Sequence, residues 1–311
     1  MDTTAIVLGA PCSLELQTLA LDEPGREDVV VDVRWSGIST GTERLLWSGE
    51  MPPFPGLGYP LVPGYESVGL VTEAGPESGL AAGDTVFVPG ASCYGEVKGL
   101  FGGSAARVVV PGRRVSQIPA SLGSDACLMA LAATARHAIA GPVGNPELIV
   151  GHGVLGRLLA RMMVAMGRPA TVWEVNADRA TGADGYEVLH PDDDPRRDYR
   201  VICDVSGDAS LIDALIARLA PGGEIVLAGF YKDRVGFNFP AAFMKEARLR
   251  VAAEWKPDDM AAVTRLVDEG LLPLDGLITH HAPASDAPDA YRMAFGDPAC
   301  LKMILDWKGT V

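Results

Sequence analysis

The stretch that decides the fold is LIVGHGVLG, Leu148–Gly156. An apolar run, Glu147–Gly151, reads as a buried strand, and Val154–Met166 carries the apolar spacing of a helix. Between them lie Gly151, His152, Gly153, Val154, Leu155 and Gly156, which fit G-x-G-x-x-G. That pattern is weak by itself, but here a strand precedes it and a helix follows. Each glycine has a physical task. Gly151 allows a tight turn, Gly153 lets the backbone approach a pyrophosphate, and Gly156 lets the helix pack on the strand. The unpaired N–H groups of the helix N-terminus then face the phosphates. His152 occupies a variable position and reads as filler of the loop.

A second requirement is an acid at the end of the next strand. Ala170–Val175 is that strand, and Glu174 stands on it. A carboxylate there accepts the ribose hydroxyls and repels a 2′-phosphate, which favours NAD; Arg179 nearby keeps NADP open. Further on, Arg200–Val205 reads as a strand and Leu211–Leu219 as a helix. Glu224–Gly229 reads as a strand after the turn Pro221–Gly222–Gly223. Strands alternating with helices predict a doubly wound parallel sheet, an α/β Rossmann domain over residues 122–272.

The texture before residue 122 is different. Short β-branched runs separated by Gly and Pro, at Val29–Val33, Ser67–Thr72, Thr85–Val88 and Ala106–Val110, predict a β-rich domain over residues 1–121. The tail, residues 273–311, ends in Lys302–Trp307, a strand expected to rejoin that domain. Pro52–Pro63 reads as a structured loop or a lid.

Composition bounds the function. The 311 residues are 48% hydrophobic and 21% charged, within the range of an ordinary globular chain of about two domains. A net charge of −14 argues against nucleic acid, whose phosphates reward clustered Lys and Arg. No long uncharged apolar run indicates a membrane span, and MDTTAIVLGA does not read as an export signal, so the cytoplasm is expected. The five cysteines, Cys12, Cys93, Cys127, Cys203 and Cys300, form no C-x-x-C and are expected to be reduced.

The order of these domains, with VRWSGISTGTE (Val33–Glu43), VPGYESVGLVTEAG (Val62–Gly75), AAGDTVFV (Ala81–Val88), LAATARHAI (Leu131–Ile139), the glycine loop and the tail ITHHAP…AYRMAF…KMIL, resembles the medium-chain alcohol dehydrogenase superfamily. The resemblance implies a GroES-like catalytic domain joined to a Rossmann domain, and hydride transfer to a nicotinamide cofactor. It places Thr134 beside the nicotinamide and gives His280 and His281 a structural role. Zinc-dependent members carry Cys at the position of Ser39, His at that of Tyr65, and Cys or Glu near Ala130. All three are replaced here, and the four-cysteine structural lobe has left only Cys93. No metal is therefore expected, because catalytic zinc needs three protein ligands. Cys127, one helical turn from Ala130, is the one candidate substitute ligand.

The candidates for handling the substrate proton follow from that vacated position: Ser39, Thr40, Thr42, Tyr65 and Glu66. A tyrosine needs a lowered pKa or must act as a relay, and a buried carboxylate serves as a base if desolvation raises its pKa. The alternative readings are that Thr40 and Thr42 brace the turn, that Tyr65 packs, and that Glu66 holds an ion pair. The longer string WSGISTGTERLLWSGEMPPFPGLGYPLVPGYESVG, Trp35–Gly69, is similar to a branch of the superfamily that acts on tetrapyrroles. It implies a small-molecule tetrapyrrole bearing a secondary alcohol, a wide pocket, and Trp35, Trp47, Phe54, Tyr59 and Phe101 in the regions facing it. The resemblance also implies a possible homodimer through the Rossmann sheet edge. Competing expectations are a zinc-independent quinone or enone reductase and a non-catalytic NAD-binding protein.

Overall fold

The computed structural model describes residues 1–310. The chain divides into two compact units, residues 1–130 with 275 onward, and residues 131–274. The first division lies nine residues beyond the expected 121/122 junction. The 3-10 segment Ala120–Leu128 explains the shift, because it packs on the β-rich unit and buries Ala126, Cys127 and Leu128.

In the first unit, β1 (Asp2–Ala10) and β2 (Ser13–Ala20) form an antiparallel hairpin. The long strand β3 (Asp28–Ile38) has β-branched residues at Val29, Val30, Val31 and Val33, all buried, and runs through the centre of the larger sheet. After it come α1 (Thr42–Ser48), β4 (Leu61–Val62), β5 (Ser67–Ala74), β6 (Thr85–Val88), β7 (Lys98–Gly99), β8 (Arg107–Pro111) and β9 (Ser116–Gln117). One edge of β3 pairs with β5; β8 pairs with its first half. Residues 52–60 contain no strand or α-helix but are not loose. Met51 and Leu61 are buried with Leu8, Leu46 and Leu100, and Phe54, Leu57 and Tyr59 pack against them. The segment is thus a structured loop with a small core of its own.

The helix α2 (Met129–Ile139) leads into the second unit. There β10 (Leu148–Val150), α3 (Val154–Ala165), β11 (Thr171–Trp173), β12 (Glu187–Leu189), β13 (Tyr199–Asp204), α4 (Ile212–Arg218), β14 (Leu219–Leu227), α5 (Phe239–Lys245), β15 (Arg248–Val251) and α6 (Pro257–Asp268) follow. All six strands are parallel, in the order β12-β11-β10-β13-β14-β15, so β10 and β13 lie at the sheet centre. Apart from Arg200 and Asp204 of β13, their side chains are enclosed apolar groups such as Leu148, Ile149, Ile202 and Cys203, as a sheet covered on both faces requires.

One sequence expectation fails here. Pro221–Gly222–Gly223 is not a turn ahead of a strand but lies inside β14. Tyr199 pairs with Leu219 and Val201 with Glu224, so the extra residues loop out as a bulge, with Gly222 at φ 73°. The tail then returns to the first unit through β16 (His280–Pro283), α7 (Ala287–Gly296) and β17 (Met303–Asp306). β17 pairs antiparallel with the second half of β3, from Met303 opposite Ile38 to Asp306 opposite Trp35. No helix among the described residues is long and apolar enough to cross a membrane.

Candidate functional site

The antiparallel register of β3 and β5, with Ser36 opposite Ser67, brings the end of one strand beside the start of the other. Ser39 follows β3 and Tyr65 precedes β5, and their hydroxyls lie 2.6 Å apart in a hydrogen bond that either can donate. Thr42, the first residue of α1, lies near enough to the phenol to act on its pKa. Ser39 is buried, Tyr65 and Thr42 are half-buried, and Thr40 is exposed. The Tyr65 ring stands edge-on to Phe101, with centroids 5.3 Å apart, and Phe101 meets Phe54 at 6.5 Å. Burial, and then the charge of Glu66, push the Tyr65 phenol above its ordinary value; the bond to Ser39 and the nearby Thr42 oppose this less strongly. Tyr65 therefore stays protonated and can pass a proton on but not collect one as phenolate. A base with a lowered pKa is thus ruled out, while the relay and the packing role, seen in the contact with Phe101, both fit.

Behind the hydroxyls lies a buried charge. Glu66 is fully enclosed and its Oε2 is 2.6 Å from Nζ of Lys302, which is itself 1% exposed. Lys302 also donates to the Ile38 carbonyl at 3.3 Å. A Cβ on Gly37 would come within 2.3 Å of Glu66 Oε2, so glycine is needed for the carboxylate to lie flat against β3. Of the readings available for Glu66, the geometry gives the ion pair.

Glu43 is a residue that the sequence reasoning missed. It lies in the first turn of α1, shares its inner face with Leu46, and is completely buried. Tyr291, on α7, donates its hydroxyl to Glu43 Oε2 at 3.0 Å, and Glu43 Oε1 has no partner. Burial first, then the charge of Glu66, raise its pKa to about 8; Tyr291, Lys302 and the Ser39 backbone pull the other way. At neutral pH Glu43 is thus a neutral acid. The i, i+3 spacing with Leu46 was the available signal, since it places both on one helix face.

The candidate dinucleotide site belongs to the second unit. Gly151 has φ 103°, open to glycine at little cost, and a Cβ on Gly156 would stand 1.9 Å from the Gly151 carbonyl. Gly153, the cap of α3, faces open space, with no protein atom within 4 Å of a Cβ built there. Val154 is buried and Leu155 half-buried in the first turn of the helix. These residues fit a pyrophosphate at the helix N-terminus. Glu174 stands just past β11, which ends at Trp173 rather than at the expected Val175, and accepts the backbone N–H of His152 at 3.0 Å on one oxygen and that of Asn176 at 2.8 Å on the other. Thr134 is half-buried on α2, and His137, one turn on, pairs with Asp259 of α6 at 2.8 Å. In the first unit, His280 is tied locally to Thr279 at 2.9 Å, and His281 is exposed.

Residues 25–120 match the family model of the alcohol dehydrogenase GroES-like domain. The whole chain is 57% identical to the 2-desacetyl-2-hydroxyethyl bacteriochlorophyllide A dehydrogenase of Cereibacter sphaeroides, with 100% of each chain covered. It is 56% identical to the enzyme of the same name in Rhodobacter capsulatus, over 99% of both. The chain belongs to the medium-chain alcohol dehydrogenase superfamily. Its fold also superposes with a TM-score of 0.82 on an Escherichia coli alcohol dehydrogenase solved with NADH, at 21% identity over 98% of this chain and 99% of that one.

Zinc, which the superfamily implies, does not fit these residues. A serine and a protonated tyrosine stand at two ligand positions, Ala130 is near the third, and Glu66 is committed to Lys302. Cys127 is fully buried, and burial holds its thiol well above the ordinary range, so it is a poor thiolate donor. Among the described residues no three His, Cys, Asp or Glu side chains group closely enough to hold a metal ion.

The Glu43 protonation has a measurable consequence. Between the ordinary carboxylate value of 4.5 and about 8, the folded chain holds a proton that the unfolded chain has lost. Stability therefore falls as pH rises through that window, by up to about 1.4 kcal/mol per pH unit. Glu43→Gln removes this titration, so its stability relative to the parent should increase steadily from pH 5 to pH 8 in chemical denaturation series. A difference independent of pH would contradict a neutral Glu43.

Proposed function

We propose that the chain oxidises the 1-hydroxyethyl side chain of a bacteriochlorophyllide to acetyl, with NAD⁺ as hydride acceptor, in the synthesis of bacteriochlorophyll a. The full-length similarity to two dehydrogenases named for that substrate carries the reading. The reaction removes a hydride from the carbinol carbon and a proton from its oxygen. Bound NAD⁺ supplies an electrophilic carbon for the hydride. The glycine loop Gly151–Gly156 would hold the pyrophosphate and Glu174 the ribose diol, and the resemblance would put Thr134 by the nicotinamide.

The proton is the task of the first unit. In this reading the substrate hydroxyl donates to the Ser39–Tyr65 pair, which relays a proton toward solvent, with half-buried Thr42 as the neighbouring hydroxyl on that side. Glu66 stays behind the pair as a fixed charge balanced by Lys302. The substrate makes a metal less necessary. Its carbinol carbon is attached to a conjugated macrocycle, so positive charge developing as the hydride departs is delocalised, and the ketone gains conjugation. Positioning then carries more of the rate than Lewis-acid activation.

The test is to mix the protein with the hydroxyethyl substrate and NAD⁺ and follow the absorption spectrum. A red shift, as the acetyl group joins the conjugated system, is expected with NAD⁺ and much more slowly with NADP⁺. Ser39→Ala and Tyr65→Phe should each lower kcat by about 100-fold. No shift despite NAD⁺ binding, or faster turnover with NADP⁺, would refute the assignment.

We also infer a homodimer through the open edge of the parallel sheet. β15 ends that sheet, and the neighbouring Phe239, Phe243, Met244 and Val251 are each about two-thirds exposed or more. An unpaired edge beside so much apolar surface favours pairing with a second copy. Light scattering should give about twice 32.7 kDa, and Phe243→Asp about that mass alone. A monomeric parent protein at tens of micromolar would overturn the dimer.

A further inference from the structure

The connection from β11 to β12 is unusual for adjacent parallel strands. A crossover between such strands is ordinarily a helix packed on the sheet. Here residues 174–186 contain only one 3-10 turn, Ala177–Arg179, and are mostly exposed. Something other than helix packing must hold this segment, which carries Glu174 at its start.

That support comes from the glycine loop. His152 is fully buried, and its Nδ1 lies 2.6 Å from the Arg179 carbonyl. A carbonyl only accepts, so Nδ1 carries the hydrogen. In the neutral ring Nε2 is then an acceptor, and the Tyr186 hydroxyl, 2.8 Å away, donates to it. The two rings meet edge-on with centroids 5.6 Å apart. Burial lowers the His152 pKa and Arg157 and Arg161 add to this, while the Arg179 carbonyl and Glu174 oppose it. Arg157, buried on α3, reinforces the arrangement by donating to the carbonyls of His152 at 3.1 Å, Arg179 at 3.0 Å and Thr181 at 2.8 Å. The backbone N–H of His152 closes the set on Glu174.

We propose that His152 and Tyr186 are positioning residues for cofactor choice: they clasp the 174–186 connection to the glycine loop and so fix the Glu174 carboxylate where the ribose diol binds. This rests on the reading of the loop as an NAD site. Each Glu174 oxygen spends one lone pair on a backbone N–H, which orients the carboxylate and leaves its remaining acceptors for two hydroxyls. His152 is thus the link through which the fingerprint turn and the acid that ends the next strand are held as one body.

Steady-state kinetics of the full chain, with NAD⁺ and with NADP⁺, test the clasp. Tyr186→Phe removes one hydrogen bond at the margin of the site, and His152→Ala removes both. The KM for NAD⁺ should rise severalfold in the first and roughly tenfold in the second, with kcat at saturating NAD⁺ within about twofold. The ratio of kcat/KM for NADP⁺ to that for NAD⁺ should rise in the same order. His152→Asn, whose amide can still donate to the Arg179 carbonyl, should lie between the parent and His152→Ala. A second readout is pH. Protonation of Nε2 ends its role as acceptor from Tyr186, so the parent's KM for NAD⁺ should climb on the acid side, and that of His152→Asn should not.

Unchanged KM and cofactor ratio in all three variants would overturn the proposal. So would parallel losses of kcat and of affinity for both substrates, which mark a general structural defect. A parent enzyme that prefers NADP⁺ would remove the NAD reading and this proposal with it, whereas an NAD⁺-preferring parent with indifferent variants removes only the proposal.

Discussion

The ammonium of Lys302 sits in the interior of the β-rich unit, 1% exposed and 2.6 Å from a carboxylate that is fully enclosed. Charges in such a place persist only as partners, and losing either one leaves the other stranded at a cost of about 3–5 kcal/mol. Much of the site follows from this pair. It requires the tail to return and lay β17 along β3, since that strand delivers Lys302. It requires glycine at position 37, where any side chain would strike Glu66. Burial raises both the Tyr65 phenol and the Glu43 carboxyl, and the charge of Glu66 adds to that rise in each.

A proton path made of hydroxyls suits that electrostatic background. Ser39, Tyr65 and Thr42 each donate and accept, so a proton can cross them without placing a lasting charge beside Glu66. A metal-binding relative would put a dication in the same space, and a deprotonated thiolate and an imidazole around it. Here the carboxylate that could have served a metal is already neutralised by a lysine. In the proposed reaction the chemistry is instead shared between an oriented alcohol, a conjugated substrate that tolerates hydride loss, and a cofactor cradle in the second unit.

How much of this was legible in the sequence depended on how local the cause was. The strand, glycine loop and helix at Leu148–Gly156 were readable because their causes are local: Gly151 takes a positive φ, and a side chain on Gly156 would strike the Gly151 carbonyl five residues earlier. Glu174 was readable as the acid at the end of the following strand, and Ser39 and Tyr65 as replacements for metal ligands. Lys302 was not, because its partner lies 236 positions away and nothing local distinguishes it from a surface lysine. Glu43 was missed for a similar reason: its partner Tyr291 is 248 positions distant. His152 read as filler, since its task is to hold a segment whose missing helix is evident only once β11 and β12 are seen side by side. Pro221–Gly223 read as a turn because local propensity cannot show that pairing with β13 resumes on both sides of a bulge.

If positioned hydroxyls oxidise the secondary alcohol with no zinc, the reaction should survive removal of the metal. The decisive measurement is turnover of the hydroxyethyl substrate by protein dialysed exhaustively against a strong chelator, with the zinc content of the same sample determined by mass spectrometry. The expected result is an undiminished rate at zinc far below one ion per chain, and no gain when zinc is added back. A rate that disappears with the zinc and returns with it would show that the hydroxyls do not suffice.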